Sequence, residues 1–140
     1  MNTGTQITKP NGIAVLLSGT PENDQPYIEA MRASGFEVVT CSDPHTFTNI
    51  IDSKPRGWKP TVFIVDVIIP RLSGFEVVKS LQRNVKNKDI PIVMMSQYCS
   101  KEDKYEAANA GASAVIAKPI VVDELLAALE SHQTNKEVKV

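Results

Sequence analysis

Residues 63–82 read FIVDVIIPRLSGFEVVKSLQ, and the order of residue types within them decides the fold. The apolar run Val62–Val67 is rich in β-branched residues and lacks polar–apolar alternation, as expected of a parallel strand buried on both faces. One carboxylate, Asp66, closes its polar end. A short turn through Pro70 follows, and then Phe75, Val78 and Leu81 recur at three-residue steps, the spacing of one helix face. Strand, turn and helix in that order form one βα unit.

The same unit recurs on either side. Apolar runs at Ile13–Leu17, Phe36–Thr40, Pro91–Met95 and Ala112–Ala117 complete a set of five. The segments between them read as helices at Glu22–Ser34, Pro44–Ser53, Ser73–Asn84, Lys101–Ala110 and Val121–Glu130, the first and fourth halted by Gly35 and Gly111. Pro44–Ser53 is the weakest by propensity, because Thr46 and Thr48 are poor helix formers. Alternation at this spacing predicts a (βα)5 flavodoxin-like sandwich, with a parallel five-stranded sheet in the order 2-1-3-4-5. Residues 12–131 form the expected domain, with polar tails at 1–11 and 132–140. Lys54–Pro60 reads as a surface loop in which Trp58 caps the core or marks a contact.

A chain of 140 residues has room for one domain and buries enough surface to fold without staples. Its 42% hydrophobic and 22% charged residues exclude a disordered chain. With a net charge of −1 and scattered lysines and arginines, it carries no basic stripe for nucleic acid and no polybasic run for a membrane. No apolar run reaches the roughly 18 residues of a spanning helix, and the polar N-terminus lacks the layout of a secretion signal. A soluble, cytoplasmic domain is the expectation. Cys41 and Cys99 make no disulfide framework or C-x-x-C pair, and His45 and His132 lie apart from each other and from the cysteines, so zinc and Ser-His-Asp chemistry are disfavoured.

In open parallel sheets ligands bind beyond the carboxyl ends of the strands. The residues there are Leu17, Ser18 and Gly19, then Asp66, then Ser96 and Gln97, then Lys118 and Pro119. A carboxylate, a hydroxyl and an ammonium thus close the third, fourth and fifth strands and converge on one pocket.

These residues resemble the receiver domains of response regulators, the family of the bacterial chemotaxis response regulator. Asp66 with Pro70 and Gly74 matches the phospho-acceptor segment, PIVMMS supplies Ser96 30 positions later (96 − 66), and AVIAKP supplies Lys118 and Pro119, the lysine 52 positions later (118 − 66). The resemblance covers about residues 12–131 and implies a mechanism in which Asp66 takes a phosphoryl group from a sensor histidine kinase, a phosphotransfer protein or a small phosphodonor. It implies a Mg²⁺ ion bridging Asp66 and the phosphoryl oxygens, Lys118 and Ser96 contacting those oxygens, and a cis bond before Pro119. It implies a signalling domain and no enzyme, with a protein partner or second copy docking on the Lys101–Glu130 surface.

Two departures from the pattern bear on that mechanism. The adjacent acidic residues that hold the metal in the family fall at Ser18 and Gly19, leaving Asp66 as the sole carboxylate, with Glu22 or Asp24 as helpers from the next turn. The switch aromatic falls at Val115, which has no ring to swing, while Tyr98 stands near as a substitute or as packing. Gln97 occupies a place where the family prefers a small residue and is positioned to plug the pocket. Three readings follow: a phosphorylatable receiver, a phosphorylation-independent pseudo-receiver acting as a protein-interaction module, and a flavodoxin-like enzyme or ligand binder, for which no glycine-rich phosphate loop is present.

Overall fold

The computed structural model describes residues 12–54, 57–69 and 71–138, with the side chains of residues 21 and 131–138 outside that description. Five parallel strands form the sheet: β1 (Gly12–Leu17), β2 (Phe36–Cys41), β3 (Val62–Asp66), β6 (Ile92–Ser96) and β7 (Ala114–Ala117). Their spatial order is β2-β1-β3-β6-β7, the expected 2-1-3-4-5 once a small hairpin is set aside. That hairpin pairs β4 (Ile68–Ile69) with β5 (Leu72–Ser73) antiparallel, directly after β3. It was not legible in the sequence, where the run through Val67 reads as one strand. The expectation at Pro70 lies outside the described residues.

Helices α1 (Gln25–Ala33), α2 (Pro44–Ser53), α3 (Gly74–Arg83), α4 (Lys101–Ala110) and α5 (Val122–Val138) link and cover the strands. Side-chain alternation along the strands divides the core in two. Val15, Leu17, Phe63, Val65, Ile92 and Met94 pack with Phe47 of α2, Val78 of α3 and Ala107 of α4. Ala14, Leu16, Val62, Ile64, Val93 and Met95 pack with Ile28 and Met31 of α1 and Leu125 and Leu129 of α5. Both faces of the central strands are therefore apolar, which explains why the sequence shows continuous runs. Phe47 and Phe63 meet edge to face, with centroids 5.8 Å apart.

Two boundaries differ from expectation. The first helical segment divides into a 3₁₀ turn (Pro21–Asn23) and α1, with Asp24 between them. Helix α5 continues to Val138, into the stretch expected as a tail, because residues 131–138 contain no glycine or proline to stop it. The weak α2 forms as expected, and the compensation is its cap: Asp43 accepts from the Thr46 N–H at 2.9 Å and the Thr46 hydroxyl at 2.7 Å. Trp58 packs against the α2–α4 core, with Lys54 Nζ 5.2 Å from its ring centroid.

Candidate functional site

The strand ends open into a cleft of about 500 Å³ whose lining includes Thr20, Asp66, Ile68, Ser96, Asp103 and Lys118. Asp66 is the last residue of β3 and is buried. Its Oδ2 accepts from Lys118 Nζ at 2.7 Å and its Oδ1 from the Ile68 N–H at 3.2 Å. A buried carboxylate needs such donors to offset lost hydration. Lys118 reaches it from the end of β7, across the intervening β6, and is partly open to solvent. The Lys118–Pro119 bond is cis, as the resemblance implied.

Gly74 sets how closely α3 approaches β3. Its N–H donates to the Val67 carbonyl at 2.9 Å. A Cβ at this position would lie 2.0 Å from the Asp66 carbonyl oxygen, so only glycine lets the helix start this close to the end of β3.

Ser96 closes β6 and is buried. Its hydroxyl donates to Asp103 Oδ2 at 2.5 Å and accepts from the Cys99 N–H at 2.9 Å. It therefore lines the Asp66 cleft while bonded to the α4 side. Sequence reasoning missed Asp103; the signal available was Ser100-x-x-Asp103, the spacing of a helix-capping pair. The cap is present, with Ser100 Oγ accepting from the Asp103 N–H at 3.0 Å.

A second cleft of about 400 Å³ adjoins the first and is lined by Thr20, Asn23, Asp24, Tyr27, Gln97, Lys118 and Pro119. Asp24 is buried, and its Oδ2 has no hydrogen-bond partner among the described residues. The Tyr27 hydroxyl donates to Met95 Sδ at 3.2 Å. Burial, then the charge of Asp24, then its hydrogen-bonding proximity, and last the charge of Asp66, raise the phenol well above its ordinary value.

A model of the response regulator receiver domain matches residues 21–130. The chain belongs to that family. PhoB, the phosphate regulon transcriptional regulatory protein of Escherichia coli K12, is 29% identical over 101 residues, or 72% of this chain and 42% of PhoB. The chain thus spans under half the length of the first curated relatives it matches. PilG of Pseudomonas aeruginosa is 27% identical over 103 residues, 73% of each chain. The chemotaxis response regulator CheY4 of Vibrio cholerae superposes with a TM-score of 0.75 at 26% identity, covering 89% of this chain and 99% of CheY4.

Within this receiver fold, Asp66, Lys118, Ser96, Gly74 and Pro119 stand together at the strand ends. Two other expectations, Glu22 as a helper and Gln97 as a plug, are corrected. Glu22 is exposed on the 3₁₀ turn, and Asp24 is the acidic residue of that segment turned inward. The Ser18 hydroxyl is buried and accepts from the Thr20 N–H at 3.1 Å, and Gly19 beside it has no side chain. Gln97 is exposed at the rim of both clefts and does not plug either. Val115 packs against the α2–α4 core. Tyr98 is 80% exposed, so in this conformation its ring is not part of the core. No helix among the described residues is long and apolar enough to cross a membrane.

Proposed function

We propose that this chain is the phosphoryl-accepting domain of a two-component system, with Asp66 as acceptor and Lys118 as its electrostatic partner. The observation that carries this is the 2.7 Å approach of Lys118 Nζ to Asp66 Oδ2 at the mouth of an open cleft. One carboxylate oxygen of Asp66 attacks phosphorus in line. The new P–O bond forms as the bond to the donor's imidazole nitrogen or carboxylate oxygen breaks, and the electron pair leaves with that group. Such transfers depend on positioning and charge neutralisation. Here the Lys118 ammonium and the Ile68 N–H, already directed at the two Asp66 oxygens, supply them. The output is a change in protein contacts, not turnover of a substrate.

A Mg²⁺ site of the family kind does not fit these residues. Magnesium wants oxygen ligands in octahedral array, usually with one or two carboxylates. At this mouth Asp66 already carries an ammonium, Ser18 is hydrogen-bonded locally, and Gly19 offers no side chain. No group of three His, Cys, Asp or Glu among the described residues is arranged to hold a metal.

The misfit of these residues to Mg²⁺ favours a second reading, a phosphorylation-independent interaction module in which Lys118 holds Asp66 permanently. Under either reading the partners are proteins: a histidine kinase or phosphotransfer protein at the cleft, and a target or second copy on Lys101–Glu130, where Tyr105 and Val121 are exposed. Intact-mass measurement after incubation with acetyl phosphate, with and without Mg²⁺, separates the two. An adduct on the wild type and none on Asp66→Asn supports the acceptor. No adduct at saturating donor and metal supports the module.

A further inference from the structure

The Ser96 hydroxyl has one proton to donate, and the structure commits it to Asp103. Strand alternation explains why. Asp66 shares the parity of Val62 and Ile64, which face α1 and α5, whereas Ser96 shares that of Ile92 and Met94, which face α2–α4. The β3–β6 register sets Asp66 opposite Met95 and leaves Ser96 one residue beyond. Ser96 therefore leaves the sheet on the α4 side, where Asp103 and the Cys99 N–H complete its bonding.

Asp103 is fixed for this task by its backbone. Ser100 is the N-cap of α4 and accepts from the Asp103 N–H. In a capping box the side chain three residues past the cap reaches back to the cap's own N–H. Here the Asp103 carboxylate accepts from Ser96.

We propose that Asp103 is a positioning residue that holds Ser96 turned toward α4, and thereby limits how strongly the Asp66 site retains a phosphoryl group. The proposal rests on Asp66 being the acceptor. A phosphoryl group on Asp66 and the Asp103 carboxylate are both anionic acceptors competing for one hydroxyl proton, and hydrogen bonds to ionised acceptors are roughly twice as strong as neutral ones. Asp103 also lines the cleft the phosphoryl group enters, so its charge opposes that group as well. The two effects separate experimentally, because only the first acts through Ser96.

The test compares wild type, Asp103→Asn, Asp103→Ala, Ser96→Ala and the Ser96→Ala/Asp103→Ala double variant, with urea midpoints confirming that each is folded. Three-bond couplings at Ser96 report its rotamer. A single rotamer in wild type and averaging in Asp103→Ala are expected; averaging in wild type, or no change in the variant, overturns the proposal. The lifetime of the acetyl-phosphate adduct is expected to lengthen roughly tenfold in Asp103→Ala, the scale of one charge-assisted hydrogen bond, and less in Asp103→Asn. Lengthening by the same factor in the Ser96→Ala background overturns the proposal in favour of simple charge repulsion. If neither wild type nor any Asp103 variant forms an adduct, the acceptor assignment for Asp66 fails, and with it any limit set by Asp103 on phosphoryl retention. The rotamer comparison then decides separately whether Asp103 holds Ser96.

Discussion

Replacing Gly74 by alanine opposes two effects of opposite sign at one residue. Gly74 is the first residue of α3 and lacks a left-handed backbone, so helix propensity alone predicts that alanine stabilises the protein by up to about 1 kcal/mol. The packing predicts the reverse. The added Cβ would sit 2.0 Å from the Asp66 carbonyl oxygen, 2.9 Å from its carbon and 3.0 Å from Val67 Cα. All three are backbone atoms, so no side chain can rotate aside. Restoring even a 3.0 Å contact requires α3 and the end of β3 to separate by about 1 Å (3.0 − 2.0), in a segment pinned by the Gly74 N–H to Val67 carbonyl bond. Overpacking of this kind costs roughly 1–3 kcal/mol, which exceeds the propensity gain. Urea unfolding followed by circular dichroism should show a lower midpoint with an unchanged slope. The same displacement moves the Asp66 carboxylate relative to Lys118, and misplacement by about 1 Å can cost on the order of a hundredfold in transfer rate. A Gly74→Ala protein as stable as wild type, or more so, would refute the steric reasoning, since propensity would then have prevailed.

Lys118→Met should destabilise the protein by roughly 1–3 kcal/mol, because the buried Asp66 loses its charged donor; a double-mutant cycle with Asp66→Asn showing no coupling would contradict this. The Cys41 thiol, pushed up to about 11 by burial and then by Asp43, should resist iodoacetamide at pH 8 until denaturant is added. Rapid native-state labelling at Cys41 would contradict its burial. The Thr46 N–H and then its hydroxyl hold the Asp43 carboxylate below the usual range. A depressed folded value means its contribution is present above the unfolded value, near pH 4, and is lost as pH falls through the folded one. Protection factors at Thr46 and Phe47, corrected for the intrinsic pH dependence of exchange, should therefore fall in that window, and Asp43→Ala should abolish that fall.

Much of this architecture is legible in residue order because the forces that set it are local. The Phe63–Val65 run followed by Phe75, Val78 and Leu81 carries its own periodicity, and Gly111, left-handed at φ 110°, stops α4 where the pattern says it should. The β4–β5 hairpin escaped notice because two-residue strands have no period. Helix α5 outran its expected end because a polar helix without breakers looks like a tail. Asp43 was overlooked at α2 because propensity sums ignore caps.

The sequence by itself determined that an acid, a hydroxyl and an ammonium end three neighbouring strands, since each closes a short apolar run with the composition of a strand. It also determined that Ser18 and Gly19 bring no charge to the same mouth. Only the tertiary structure decided how these groups divide their bonds. The register of β6 on β3, a one-residue matter invisible to composition or spacing, sends Ser96 to Asp103 while Lys118 goes to Asp66. Side-chain direction in a sheet reverses with every residue, so chemistry that depends on direction is set by pairing between strands.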